Sequence, residues 1–190
     1  VFSGHKIGAP TGIGVLYGKK EWLERLSPVK GGGGMIFEAT SIDATYKSYP
    51  YGFEAGTPNI AGAIALATAV TYISNIGLSH IAAHEQKLTS YAEKKLYDIP
   101  GITRVGNPRN RIGILSFLVE GIHTHDVGTF LSERKIAVRT GHHCAMPLMK
   151  RLGVDGTIRV SFGLCTNKSD IDEFIEGIID AKAYFKEKLC

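Results

Sequence analysis

A lysine near the start of the chain lies where a short apolar segment meets a glycine-rich loop. The segment reads Ser3-Gly4-His5-Lys6, and Gly8-Ala9-Pro10-Thr11-Gly12 follows it. An amine buried against such a loop is desolvated, and burial favours its neutral, nucleophilic form. The hydroxyl of Ser3 and the imidazole of His5 could hold a phosphate. This combination suits a lysine that forms a Schiff base with pyridoxal phosphate. A surface lysine on a glycine-rich hairpin is the alternative.

A cysteine in the last third of the chain lies in an unusually basic segment. The segment reads Arg139-Thr140-Gly141-His142-His143-Cys144-Ala145. Free cysteines are usually inert, buried apolar side chains, and that interpretation fits Cys165 and Cys190. Cys144 differs because an arginine and two histidines flank it, and nearby positive charge favours the reactive thiolate. The pattern therefore predicts a nucleophile at Cys144.

Histidines near this cysteine also raise the question of a zinc site. The residue types that could take part are His123, His125, His142, His143 and Cys144. Adjacent side chains project in different directions, and the spacing matches no common zinc signature. We therefore expect no metal here.

An arginine lies within a predicted strand near the C-terminus. Arg159 stands in the apolar run Thr157–Phe162. If its side chain faces inward, an arginine among apolar neighbours requires an anionic partner. A carboxylate held by two parallel hydrogen bonds would serve. The alternative is an arginine on an edge strand that points to water.

Composition limits the classes to which the chain can belong. Its 190 residues are 44% hydrophobic and 21% charged, enough for one ordinary core or two small ones. A mean hydropathy of +0.02 argues against a disordered or membrane protein. The longest apolar run, Ile60–Ile73, is too short to span a bilayer and predicts a buried helix.

The net charge of +4 is mild, so we expect no nucleic-acid partner. Three cysteines make no disulfide framework, which favours a reducing, cytoplasmic setting.

Glycine is concentrated in the first third of the chain, and long amphipathic patterns follow. Thr57 and Pro58 predict the N-cap and first residue of a helix over 59–75. From residue 78 the element order α-β-β-α-β-β-α predicts a small antiparallel sheet with helices on one face. We place the domain boundary within the helix, which divides the chain into residues 1–68 and 69–190.

Four ordered motifs carry a family resemblance. They are Ser3–Lys6 with Pro10–Gly14, the glycines 31–33, Phe53–Asn59, and Val138–Ala145. Together they resemble the cysteine desulfurases, which belong to the class-V aminotransferase-like enzymes that use pyridoxal phosphate. The Arg-x-Gly-His-His-Cys-Ala form is similar to the group that serves SUF-type iron–sulfur assembly and includes selenocysteine lyase-like members. The resemblance implies an α/β, fold-type-I architecture. Residues 1–68 would end the large cofactor domain, and residues 69–190 would form the small C-terminal α+β domain.

The resemblance also implies roles for single residues. Lys6 matches the Schiff-base lysine, and Ser3 and His5 match ligands of the cofactor phosphate. Cys144 matches the nucleophile that takes the sulfur as a persulfide.

Four further positions follow from the same resemblance. Arg159 matches the anchor of the substrate carboxylate, and Arg139 matches the arginine that leads the cysteine loop. The loop around Gly31 and the turn at Thr57 match segments that reach the cofactor phosphate of the other subunit of a homodimer.

The implied activity is a pyridoxal-phosphate-dependent conversion of L-cysteine into L-alanine. The sulfur would pass from Cys144 to an acceptor protein of the SUF type for iron–sulfur cluster assembly. Chains of the family are longer, and the match covers their C-terminal half, so we expect the 190 residues alone to be inactive. Two alternatives stay open: a selenocysteine lyase, and a non-catalytic module for dimerisation or partner docking.

Overall fold

The computed structural model describes residues 1–188. The chain divides into two compact units, and the boundary in the sequence lies between Gly77 and Leu78. The predicted boundary at residue 68 falls inside a helix that runs unbroken from Ile60 to Ile76. Because its hydrogen bonds continue to Gly77, whose φ of 91° ends the helix, the whole helix belongs to the first unit. Cys190, interpreted above as an inert buried thiol, lies outside the described residues.

The first unit contains short strands, one short helix and one long helix. They are β1 (Phe2–Ser3), β2 (Gly14–Val15), α1 (Lys20–Leu23), β3 (Ile36–Ala39), β4 (Ala44–Tyr46) and α2 (Ile60–Ile76). Both strand pairs, β1 with β2 and β3 with β4, are antiparallel. Strands of two to four residues cover little apolar surface, so the buried hydrophobic residues here are Ala9, Leu23 and Met35.

Helix α2 differs from its prediction in two ways. Its N-cap is Asn59, whose side chain accepts a hydrogen bond from the Gly62 amide at 3.0 Å, and not Thr57. The predicted burial is also wrong, because Gly62 is the one buried residue of this helix and Ile64 is 65% exposed. The small strand pairs of this unit offer no broad apolar face to cover it. Within residues 1–188 no single helix has both the length and the hydropathy needed to cross a membrane. Only α2 together with the helix that follows it, Leu78–Tyr97, meets these two requirements, and that pair is bent at the break between them.

The second unit contains one four-stranded sheet. Its elements are α3 (Leu78–Tyr97), β5 (Ile102–Arg104), β6 (Ile114–Val119), α4 (Thr124–Glu133), β7 (Arg139–Gly141), α5 (Met146–Leu152), β8 (Thr157–Ser161) and α6 (Lys168–Lys188). The strand order is β5-β6-β8-β7, and every pair is antiparallel. The sheet therefore has the small antiparallel form that the element order predicts.

Alternation along β6 and β8 separates the core from the opposite face of the sheet. Leu115, Phe117 and Val119 of β6 and Ile158 and Val160 of β8 are buried in one cluster with apolar residues of α3, α4 and α6. Side chains alternate across a strand, so the residues between them face away from these helices. Arg159 is one of those residues, and this places it on the face without the packed helices.

We expect the Phe117→Ala variant to lose about 3–5 kcal/mol of unfolding free energy. Phe117 is fully buried, and its ring packs edge-on against Phe174 with centroids 6.0 Å apart. Denaturant titration followed by circular dichroism measures the change. The control is Phe37→Ala, which removes a 78% exposed ring and should cost less than about 0.5 kcal/mol. Equal losses in the two variants would contradict the core as described.

Candidate active site

The turn that carries Ser3, His5 and Lys6 is held by close backbone contacts. After β1 the chain forms a 3-10 helix over Gly4–Ile7, which ends at Gly8 with a φ of 86°. The Gly4 amide donates to the Ile13 carbonyl at 2.8 Å. A Cβ on Gly4 would lie 2.8 Å from Cγ2 of Ile13, closer than real Cβ contacts come. Glycine is therefore required for this turn to close on β2.

The candidate functional side chains of this turn are wholly or partly exposed. Ser3 is half-buried and makes no side-chain cap to the helix that follows it, while His5 and Lys6 are exposed. The predicted burial of the Lys6 amine is thus wrong within this unit, because no element of residues 1–77 covers it. A hydroxyl, an imidazole and an amine are presented on three of four consecutive residues. These groups suit a phosphate and an aldehyde.

Two loops of the first unit that are distant in sequence are joined. The Gly56 amide donates to the Gly33 carbonyl at 2.8 Å. A Cβ on Gly32 would lie 3.1 Å from both the Ala55 side chain and the Gly56 nitrogen. The glycine loop that contains Gly31 therefore lies against the turn that leads to Thr57. Gly31 and Thr57 are both exposed, so their donors are accessible.

In the second unit, Cys144 lies in a strained loop between β7 and α5. His143 and Cys144 have φ values of 54° and 60°, and this left-handed conformation costs non-glycine residues about 1–3 kcal/mol each. The Ala145 amide donates to the His142 carbonyl at 2.8 Å and closes the turn around them. Cys144 is exposed, and Nη2 of Arg139 donates to its Sγ at 3.4 Å. The loop thus presents a thiol with a guanidinium at its sulfur.

The imidazole of His143 is directed toward the sheet. Its Nε2 lies 2.8 Å from Oγ1 and 3.1 Å from the carbonyl oxygen of Thr157 on β8. Burial lowers the pKa of His143 below its ordinary value, the positive charges of Arg159 and Arg139 act in the same direction, and the bond to Thr157 opposes them. The ring is therefore neutral at pH 7. Thr157 was not predicted as a site residue, because its position as the first residue of a strand gives no signal of this contact.

Two arginines lie opposite each other on β7 and β8. Arg139 pairs with Arg159 in the antiparallel register, so both side chains leave the same face of the sheet. Like charges at directly opposed positions repel. Nε of Arg159 is buried and has no hydrogen-bond partner within the described chain. An unpaired buried donor is costly, and an anion with two acceptor oxygens would satisfy it.

The position of β8 decides between the alternatives for Arg159. In the strand order β5-β6-β8-β7, β8 is an inner strand and β7 is the edge. The edge-strand alternative is therefore wrong. Arg159 is half-buried and lies in one sheet with Arg139, beside the Cys144 loop.

The remaining cysteine and histidines lie in other surroundings. Cys165 is exposed, so its interpretation as a buried thiol is wrong; it stands in the loop between β8 and α6. His125 contacts Thr140 through Nδ1 at 3.1 Å, and its ring stacks on that of His123. Among residues 1–188 no group of three or more His, Cys, Asp or Glu side chains is arranged to hold a metal ion.

The candidate site residues fall into two groups. Ser3, His5, Lys6, Gly31 and Thr57 belong to the first unit, in the β1 turn and the joined glycine loops. Arg139, Cys144 and Arg159 belong to the second unit, and the structure brings these three together.

Comparison with known proteins places this chain among relatives about twice its length. The family model of class-V aminotransferases matches residues 1–174. A protein of Halalkalibacterium halodurans named "Probable cysteine desulfurase" is 50% identical over 184 residues, which are 97% of this chain and 45% of the relative. The chain thus spans about half the length of the curated relatives it matches.

Solved structures show the same relationship. The cysteine desulfurase CsdA (S-sulfonic acid) of Escherichia coli is 40% identical with a TM-score of 0.90, over 96% of this chain and 45% of that one. The apo cysteine desulfurase of Thermococcus onnurineus NA1 is 41% identical with a TM-score of 0.86, over 93% of this chain and 45% of that one. The fold-type-I class predicted from the sequence is confirmed by these matches.

Proposed function

Because this chain belongs to the class-V aminotransferase family, we propose that the protein is a cysteine desulfurase. It would release L-alanine from L-cysteine and keep the sulfur as a persulfide on Cys144. One observation carries the proposal: Sγ of the exposed Cys144 lies 3.4 Å from Nη2 of Arg139, and Arg139 on β7 is paired with Arg159 on β8. A nucleophile is thereby combined with a potential carboxylate anchor in one sheet.

The residues of the first unit fit pyridoxal phosphate. The Ser3 hydroxyl is not used by the helix that follows it, and the exposed Lys6 amine stands on the same tight turn. Lys6 would hold the cofactor covalently, and Ser3 and His5 would bind its phosphate. In a homodimer, Gly31 and Thr57 would serve the phosphate of the partner subunit. When bound, the cofactor supplies an electron sink that weakens the carbon–sulfur bond of the amino acid.

Arg159, Lys6 and Cys144 then each have a separate role in the proposed reaction. Arg159 binds the substrate carboxylate, which satisfies its buried Nε and reduces its repulsion with Arg139. Nζ of Lys6 takes and returns protons. The Cys144 thiolate attacks the substrate sulfur, so a sulfur–sulfur bond forms as the carbon–sulfur bond breaks. The released electron pair stays with the carbon fragment, which gains a proton and leaves as alanine.

The wider setting follows from the same proposal. We infer that the first unit belongs to the large cofactor domain and the second unit to the small C-terminal domain of a cytoplasmic homodimer. The persulfide of Cys144 would pass to an acceptor protein of the SUF type for iron–sulfur cluster assembly. The exposure of Cys144 supports this transfer, because an acceptor thiol must reach the sulfur directly.

Alanine release from L-cysteine by the complete protein with pyridoxal phosphate tests the function. In that assay we expect Arg159→Ala to lower kcat/KM about ten- to hundredfold, chiefly by raising KM. A charge-assisted clamp on a carboxylate contributes about 1.5–3 kcal/mol, which corresponds to that factor.

The matched control is Arg134→Ala. This variant removes an exposed arginine that pairs with Asp180 at 2.5 Å, and exposed pairs contribute little. Its kcat/KM should stay close to that of the wild type. An unchanged KM in Arg159→Ala would show that the carboxylate is bound elsewhere, and no alanine from the wild type would exclude the desulfurase itself.

A further inference from the structure

The backbone around Cys144 requires an external restraint. His143 and Cys144 are consecutive non-glycine residues in the left-handed region, with φ values of 54° and 60°. Such a pair persists only where surrounding contacts over-determine it. Within the loop, the hydrogen bond from the Ala145 amide to the His142 carbonyl spans the two strained residues. That single bond does not reach the rest of the fold.

The side chain of His143 supplies a connection to the sheet. Its Nε2 contacts both the hydroxyl and the carbonyl oxygen of Thr157, a buried residue of β8. A carbonyl oxygen only accepts, so both contacts are satisfied when Nε2 carries the proton. Nδ1 is buried and has no partner within the described residues, which suits an unprotonated nitrogen. The geometry therefore selects the neutral ring with its proton on Nε2.

The charges around His143 disfavour its protonation. The groups whose charges act on it are Arg159 on β8, Arg139 on β7 and His142 in its own loop. All three act to lower the pKa of His143, and no carboxylate within residues 1–188 is among the groups whose charges act on it. A proton on Nδ1 would add a third positive charge beside two arginines and bury a donor with no acceptor.

From this geometry we propose that His143 is the positioning residue of the Cys144 loop. Its neutral imidazole ties the loop to Thr157 and holds Cys144 at Arg139. Protonation at Nδ1 leaves the Nε2 donor in place but creates a buried, charged and unpaired donor close to two arginines, and this weakens the tie. The consequence for sulfur transfer rests on the proposed desulfurase function, whereas the consequence for loop structure does not.

The test compares three variants of the complete protein at pH 8. His143→Ala removes the tie, His143→Gln keeps a donor at the position of Nε2 without a titratable group, and His142→Gln changes the exposed neighbour as a matched control. The first readout is hydrogen exchange of the Ala145 amide, measured by mass spectrometry at single-residue resolution. We expect His143→Ala to lose at least about tenfold protection there, and the other two variants to keep it.

The second readout is alanine formation. We expect His143→Ala to lower kcat about ten- to hundredfold with little change in KM, because small misplacements of a reacting group cost this much.

A pH series separates positioning from a merely structural role. Burial lowers the pKa of His143 below its ordinary value of 6.5, so the tie keeps its full strength above pH 6.5 and weakens as the pH falls through the lowered pKa. The kcat of the wild type divided by the kcat of His143→Gln should therefore fall in acid. The protection of the Ala145 amide, corrected for the pH dependence of the intrinsic exchange rate and divided in the same way, should fall with it. Titration of all other groups cancels in these ratios.

Three results would overturn the proposal: full Ala145 protection in His143→Ala, loss of protection in His143→Gln at pH 8, or pH-independent ratios. If His143→Ala does not fold, the ratios to His143→Gln still decide. If the wild type forms no alanine, the desulfurase function fails, but the exchange measurements still test the tie.

Discussion

The Cys144→Ala variant of the complete protein is expected to lose alanine formation from L-cysteine by about 10³-fold or more, the scale on which removal of a nucleophile acts. Its cofactor absorbance should be unchanged, because the proposed covalent bond to the cofactor belongs to Lys6. The reason for the loss lies in the loop, where Cys144 presents an exposed sulfur 3.4 Å from Nη2 of Arg139. Alanine release with an acceptor protein present and the visible spectrum are the two measurements.

Cys165→Ala is the matched control for this variant. Cys165 is likewise a free, exposed cysteine, so a loss specific to Cys144 cannot result from the removal of any accessible thiol. Undiminished alanine formation by Cys144→Ala would exclude Cys144 as the residue that takes the sulfur. Selenocysteine could still react in the Cys144→Ala variant, because selenium leaves more easily than sulfur. A comparison of cysteine turnover with selenocysteine turnover in the complete wild-type protein therefore separates a cysteine desulfurase from a selenocysteine lyase.

Lys6→Ala is expected to abolish the visible absorbance of covalently held pyridoxal phosphate. It should also lower alanine formation by about 10²- to 10⁴-fold, because a positioned acid–base group contributes a factor of this size. Lys6 stands on a turn that Gly4 and Gly14 allow to close, and its amine is exposed. The spectrum and the alanine assay report the two functions of this amine separately. Loss of both in one variant identifies Lys6 as the residue that holds the cofactor.

Lys20→Ala serves as the control for Lys6. Lys20 lies in the same unit, and its exposed ion pair with Glu24, at 3.6 Å, contributes little. Its spectrum and activity should match those of the wild type. A Lys6→Ala protein that retains the wild-type spectrum would show that another amine holds the cofactor.

Local sequence alone was sufficient for the features that depend on nearby residues. The basic segment around Cys144 predicts an unusual thiol, and glycine spacing predicts the tight turn that carries Lys6. The period of apolar residues from residue 78 onward predicts the antiparallel sheet, because alternation within each strand and helix is a local property. The fold-type-I class is what the family resemblance of the motifs implies, and it is confirmed by the solved structures of relatives.

Other features were decided by tertiary structure. The opposition of Arg139 and Arg159 depends on the register of two strands that are separated by α5, and the inner position of β8 depends on strand order. The tie from His143 to Thr157 exists only because the loop after β7 folds back onto β8. Exposure also depends on distant packing, which is why α2, Lys6 and Cys165 are more exposed than local sequence predicts. Residue types and spacing thus determined which groups could react. Strand pairing and loop closure decided which of these groups meet, because contacts between distant segments are set by the packing of the whole unit.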